Sequence, residues 1–100
     1  MDKQNSSLKV LVVDDDEAIH NILKSVLENE GIGVSTANNG KSAQAFLEVE
    51  KFNAVISDIN MPGGDGIELL RYIGSSYPTL PVILMTGFTE LIRDTIEATS

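Results

Sequence analysis

Apolar residues run almost unbroken from Leu8 to Val13, with valine at three of the last four positions. Its shortness and β-branching predict a buried strand over that span. Asp14, Asp15 and Asp16 end the run, and the period changes. Ile19, Ile22, Leu23, Val26 and Leu27 then recur at the spacing of one helix face, which predicts an amphipathic helix with those side chains inward. Asp16 is its expected N-cap, and Gly31 is placed to end it. His20 falls beside that face, at a surface or boundary position.

The alternation recurs. Gly33 to Ala37 is a strand with Val34 as its apolar anchor. Asn39-Gly40 punctuates, and Lys41 to Val49 reads as a helix with Ala43, Phe46 and Leu47 inward. Ala54 to Ser57 is a third strand, ending at Asp58. A loop, Ile59 to Asp65, carries the turn signal Pro62-Gly63-Gly64. Gly66 to Ser75 is a helix with Ile67, Leu70 and Ile73 on one face, stopped by Tyr77-Pro78. Val82 to Met85 is a fourth strand, and Thr89 to Thr99 a fourth helix with Leu91, Ile92 and Ile96. Strands alternating with helices imply right-handed crossovers and a parallel sheet covered on both faces. The near-continuous apolar strands agree, because parallel strands are buried on both sides. The fold class is therefore α/β, an open doubly wound parallel sheet.

Composition narrows the function. One hundred residues, 42% hydrophobic and 22% charged, make one globular domain. The absence of cysteine excludes disulfides, thiolate metal sites and thiol chemistry. The single His20 cannot build a multi-histidine metal site. Seven basic against 15 acidic residues leave a net charge of −8, which disfavours direct contact with nucleic acid. Apolar runs fall far short of the roughly 18 residues a membrane span needs. Residues 1–7 form a polar lead-in without a signal core, so the default location is the cytoplasm.

The chemistry is expected where an open α/β sheet keeps it, beyond the carboxyl ends of its strands. Asp14, Asp15 and Asp16 follow the first strand, Asp58 the third, and Thr86-Gly87 the fourth. If the first and third strands are neighbours, these carboxylates converge. Two carboxylates about 4 Å apart repel by roughly 4 kcal/mol at an effective dielectric near 20. Such a group shares protons, stays hydrated or holds a cation. An all-oxygen donor set selects a hard ion: magnesium, manganese or calcium. The calcium-loop pattern is absent, and few carboxylates with room for water suit magnesium better. The bland alternative is helix capping, and for Asp16 and Glu17 it is the better reading. Asp58 alone would be an ordinary turn residue. Their conjunction with Thr86 at one sheet edge is what argues for a site.

Three segments carry a resemblance. Val10-Leu11-Val12-Val13-Asp14-Asp15-Asp16-Glu17-Ala18-Ile19 resembles the opening of a two-component response-regulator receiver domain, the CheY-like family. The stretch from Val55 through Asp58 to Gly66 resembles its phosphorylation segment, and Pro81 to Gly87 its fourth strand and switch hydroxyl. The resemblance runs from about Leu8 to the last residue. It implies a flavodoxin-like sheet of order 2-1-3-4, continued in the family by a fifth strand. It further implies that Asp58 is the phosphoacceptor. Asp14, Asp15 and Asp58, with the backbone carbonyl of Asn60, would hold Mg2+, with Mn2+ as the alternative ion. Thr86 would hydrogen-bond the phosphoryl oxygens and Gly87 would leave them room. Pro62, Gly63, Gly64 and Gly66 would shape the loop, and Phe88 stands where receivers tune access to the phosphate. The implied partner is a sensor histidine kinase or a phosphotransfer protein, and the implied role is a switch, not a turnover enzyme.

The chain departs from the family at its end. Residues 8–100 read as a receiver that stops in or just after the fourth helix, without the fifth βα unit and the lysine it carries. None of Lys3, Lys9, Lys24, Lys41, Lys51, Arg71 and Arg93 takes that lysine's place. Losing the fifth strand would leave the fourth as an edge, which invites self-association through strand four and helix four. Met61 and Met85 read as packing. Gly63-Gly64-Asp65-Gly66 is not a nucleotide loop, because it lacks the P-loop spacing and lysine. Two other classes compete. One is a receiver-like interaction module that is never phosphorylated, against which Asp14, Asp15, Asp58 and Thr86 argue. The other is a magnesium-dependent phosphohydrolase with an aspartate nucleophile, whose Asp-x-Asp-x-Thr run is not matched by Asp14-Asp15-Asp16-Glu17-Ala18.

Overall fold

β1 (Lys9–Val13) is the most deeply placed strand, with Leu11, Val12 and Val13 all at 0% exposure. The computed structural model describes residues 8–58, 61 and 65–85. The polar lead-in and the expected helix Thr89–Thr99 lie outside the described residues. After β1 come α1 (Glu17–Asn29), β2 (Gly33–Ala37), α2 (Gly40–Val49), β3 (Ala54–Ser57), α3 (Asp65–Ser76) and β4 (Val82–Leu84). These are the expected elements, shifted by a residue or so at their ends.

The sheet is parallel throughout, in the order β2-β1-β3-β4. The chain steps one way from β1 to β2 and back past β1 to β3. Right-handed crossovers therefore place α1 on one face and α2 and α3 on the other. Strand parity divides the apolar residues accordingly. Leu11, Val13, Ala37 and Val55 meet Ala43 and Leu47 of α2 and Leu69 and Ile73 of α3, with Met61 alongside. Val10 and Val12 face the other way, toward α1. Each such side chain taken from water stabilises the fold by about 1.5–3 kcal/mol.

Helix ends follow their sequence signals. The Asp16 carboxylate accepts from the Ala18 N–H, and the Asn39 side chain accepts from Ser42 N–H at 2.8 Å, as N-caps. At the end of α1, Gly31 has φ +82°. Its N–H bonds Glu28 O, and Ile32 N–H reaches back to Leu27 O, both at 3.0 Å. That pair of bonds is a Schellman motif, which needs the left-handed residue glycine supplies.

Four side-chain expectations are corrected. Ile22 and Val26 of α1 are each 56% exposed, while His20 is buried at 5%. Ile19, His20, Leu23 and Leu27 form the inward stripe, because α1 packs mainly on β2 and β1 and the imidazole finds a carbonyl there. In α3, Ile67 is 48% exposed. The inward positions are Gly66, Leu69 and Ile73, with Leu70 half-buried.

Two glycines separate backbone from packing effects, since an added Cβ meets nothing within 4 Å at Gly31 or at Gly74. Gly31→Ala is expected to destabilise by about 1 kcal/mol because of its positive φ. Gly74→Ala, in the helical backbone of α3, is expected to stabilise by about 0.5–1 kcal/mol. Urea denaturation of the two variants checks both signs.

Candidate functional site

The parallel register pairs Val13 with Ala37 on one side and with Ser57 on the other. The residues that follow therefore emerge side by side. The ladder continues one step beyond the strands: Asp14 N–H bonds Ala37 O, and Asp58 N–H bonds Val13 O, both at 3.0 Å. Met85 N–H bonds Ser57 O at 2.9 Å. These bonds fix the backbone of both acidic residues before any side chain is considered.

Asp14, Asp15 and Asp58 then offer carboxylate oxygens that all lie within 4.8 Å of one another. Asp14 is buried, Asp58 half-buried and Asp15 exposed. Burial pushes the Asp14 carboxyl above its usual range, and the charges of Asp58, Asp15 and Asp16 push the same way. The Asp16 N–H, which donates to Asp14 Oδ1 at 2.9 Å, opposes them. Asp16 itself caps α1 through Oδ1, at 2.9 Å from Ala18 N, and so behaves as the helix cap expected of it. Oxygen-only donors with one buried carboxylate held against its own repulsion fit a hard divalent cation. Such an ion would relieve the strain that burial and like charge impose.

Gly66 stands in the first turn of α3, buried, with Ser57, Leu69 and Leu84 around the same small space. It therefore packs the helix start close to Ser57 of β3. Asn60, Pro62, Gly63, Gly64, Thr86, Gly87 and Phe88 lie outside the described residues. Sequence reasoning gave Ser57 no part at this edge and set His20 at the surface or boundary. Ser57 is 2% exposed, and its parity with Val55 gives it away. His20 donates from Nε2 to Ala37 O at 3.1 Å, and no helical periodicity of apolar residues could have found it. A groove of about 780 Å³, lined in part by Glu50, Phe52, Tyr77 and Pro78, sits at the opposite edge, where the strands begin. It is remote from the carboxylates.

Comparison with known proteins agrees with this geometry. The family model described as the response regulator receiver domain matches residues 10–100. The chain is 44% identical over 85 residues to the response regulator protein FleR of Pseudomonas aeruginosa, covering 85% of this chain and 18% of that protein. It is 42% identical over 82 residues to the DNA-binding transcriptional regulator NtrC of Salmonella typhimurium, covering 82% of this chain and 18% of the relative. The chain thus spans under a fifth of the length of these curated relatives. Among solved structures, a CheY-like receiver domain protein from Methanospirillum hungatei superposes with TM-score 0.76 at 38% identity, covering 80% of this chain and 64% of that one. The response regulator TrrA of Thermotoga maritima, solved in complex with Mg(2+)-BeF, gives TM-score 0.75 at 36% identity over 80% of this chain and 70% of its own.

The raised Asp14 carboxyl has a definite pH signature. The folded protein binds its proton more readily than the unfolded chain, so the contribution of this group to stability is fullest below the ordinary aspartate range. It falls as pH rises from there through the raised value. Asp14→Asn keeps the Oδ1 acceptor for Asp16 and removes the charge. It is expected to flatten that pH dependence and raise the metal-free Tm at pH 7, where each 1 kcal/mol is worth about 4–8 °C in a domain this size. Wild-type protein should gain about 2.7 kcal/mol from Mg2+ at a hundred times its Kd, and the variant should gain almost none. Thermal scans with and without Mg2+ check both.

Proposed function

The chain belongs to the response regulator receiver family of two-component signalling, and we propose that it works by accepting a phosphoryl group on Asp58. The observation that carries the proposal is the convergence of Asp14, Asp15 and Asp58 within 4.8 Å at the ends of two hydrogen-bonded parallel strands. Asp58 is the acceptor because it is half-buried at the end of β3, its backbone held by Val13 O. Asp14 and Asp15, one buried and one open to solvent, take the cation. Mg2+ is the ion proposed, since compact oxygen sites that retain water suit it. When bound it supplies neutralisation of charge between the carboxylates and the incoming phosphoryl oxygens.

The chemistry needs positioning more than acid–base catalysis. A carboxylate oxygen of Asp58 forms a bond to phosphorus as the phosphorus–nitrogen bond of a donor phosphohistidine breaks. The bonding pair stays on the imidazole nitrogen, which a proton then satisfies. The product is an acyl phosphate, and the chain acts once per cycle as acceptor and switch instead of as a turnover enzyme. Donors are a sensor histidine kinase or a phosphotransfer protein. Thr86, by its place after the fourth strand in sequence, is proposed to donate to the phosphoryl oxygens. No helix among the described residues is long and apolar enough to cross a membrane, which agrees with a proposed site of action in the cytoplasm.

Incubation with phosphoramidate, whose phosphorus–nitrogen bond mimics the donor, tests the reading. Intact mass should show one added phosphoryl group that requires Mg2+ and disappears in Asp58→Asn. An adduct that survives that substitution would move the acceptor elsewhere. Absence of any adduct on the wild-type protein would favour an unphosphorylated interaction module.

A further inference from the structure

His20 is buried on α1 and has no part in the phosphoryl chemistry described above. Its bond to Ala37 O is 3.1 Å long. A carbonyl has no proton to give, so the imidazole must carry its hydrogen on Nε2. The same carbonyl accepts the Asp14 N–H at 3.0 Å. From Asp14 the bonds can be followed onward. Asp14 Oδ1 accepts from Asp16 N–H at 2.9 Å. Asp16 O in turn accepts the backbone N–H of His20 at 3.3 Å. The path from Ala37 to Asp14 to Asp16 to His20 and back to Ala37 is a closed ring of hydrogen bonds. It ties the end of β2, the end of β1, the acidic loop and the first turns of α1 into one unit.

We propose that His20 is a positioning residue for the acidic cluster, closing this ring so that the Asp14 and Asp15 carboxylates stand where the cation needs them. The inference rests on the proposed cation site. Without the imidazole bond, three of the four links survive, but α1 is no longer tethered to β2 at the level of Asp14. The acidic loop between them is then free to shift with the helix. Burial supports a specific role, since a polar ring at 5% exposure costs stability unless its hydrogen bond is made. The expected loss is smaller than for a group that touches a ligand directly. Removing a direct outer-shell partner typically costs about 10–100-fold in metal affinity, and His20 acts one residue further out through a backbone carbonyl.

The test is an NMR titration of the 15N-labelled protein with Mg2+, reading the Asp14 and Asp15 amides, for wild type, His20→Phe and His20→Gln. Phenylalanine keeps a ring in the space and deletes the donor. Glutamine restores an N–H at similar reach. The Mg2+ Kd is expected to rise about three- to ten-fold in His20→Phe, below the range for direct partners, and to return to within about twofold of wild type in His20→Gln. The imidazole 15N spectrum should show a proton on Nε2. A folded His20→Phe that binds Mg2+ like wild type would sink the proposal. So would a His20→Gln as weak as the phenylalanine variant, or a ring protonated only on Nδ1. Should His20→Phe not fold, the glutamine variant and the ring spectrum decide. Wild-type protein blind to Mg2+ would overturn the cation site itself, and this inference with it.

Discussion

Everything at the functional edge depends on the parallel pairing of β1 with β3. A hydrogen-bonded register that sets Val13 beside Ser57 leaves Asp14 and Asp58 no choice but to emerge as neighbours. Strands in a sheet lie about 4.8 Å apart, close to the separation at which two carboxylates repel by a few kcal/mol. The backbone ladder is strong enough in aggregate to impose that repulsion, and β1 is buried deeply enough that it cannot move aside. The strained carboxyl of Asp14 is thus a consequence of the sheet. The sheet supplies the strain, and the site is where it becomes useful.

The two ends of the strands are built on opposite principles. At the beginning of β1, Lys9 Nζ meets Glu50 Oε1 at 2.6 Å and lies 5.8 Å from the centre of the Phe52 ring. Asn53 accepts the Lys9 N–H through Oδ1 and donates its own N–H to Lys9 O, each at 2.7 Å. Tyr77 O–H donates to Leu47 O and stacks edge-on with Tyr72. A hydrogen bond to Tyr77 is the main cause that pushes the Tyr72 hydroxyl up to about 12. Opposite charges and satisfied polar groups therefore close one edge. Like charges crowd the other. A groove at the satisfied edge invites attention by its size alone, whereas the carboxylate edge is defined by unfavourable electrostatics, which points more directly to a ligand.

How much of this was legible in the sequence depended on which physical signal wrote it. Strand positions were plain because two-sided burial demands unbroken apolar runs such as Val10 to Val13. Helix existence was plain from period and caps, and Asp16, Asn39 and Gly31 each do locally what their types dictate. The convergence of Asp14 and Asp58 was legible once β1 and β3 were taken as neighbours, an order that the resemblance to receivers implied. Which stripe of a helix turns inward was less legible. In α1, Ile22 and Val26 fit an apolar face as well as Ile19 and Leu23 do. The choice between them was made by where the helix sits across β1 and β2, a tertiary fact. Ile67 in α3 fails for the same reason, displaced by Gly66 and Leu69 one and two positions away. His20 was illegible in a stronger sense. A polar residue enters a core only when a specific partner waits there, and its partner is a backbone carbonyl, which every residue possesses and no sequence displays.

The sheet's α1 face extends the argument from the site to the whole domain. By parity Ile56 and Ile83 share that face, and Ile83 is 54% exposed, as Ile22 and Val26 on α1 are at 56%. The opposite face carries the contiguous core, where α2 packs on β2, β1 and α3 and Leu69 and Ile73 of α3 join the same buried cluster. The two faces therefore differ in what fixes them. On the α2–α3 side, many dispersed contacts hold the helices, and no single one is decisive. On the α1 side, packing on β2 and β1 is joined by one directional bond that crosses from helix to sheet, the His20 tether to Ala37. Directional bonds define an arrangement sharply but contribute only about 0.5–1.5 kcal/mol each. Loss of that one bond would act on the helix that follows the acidic loop, beside the end of β2.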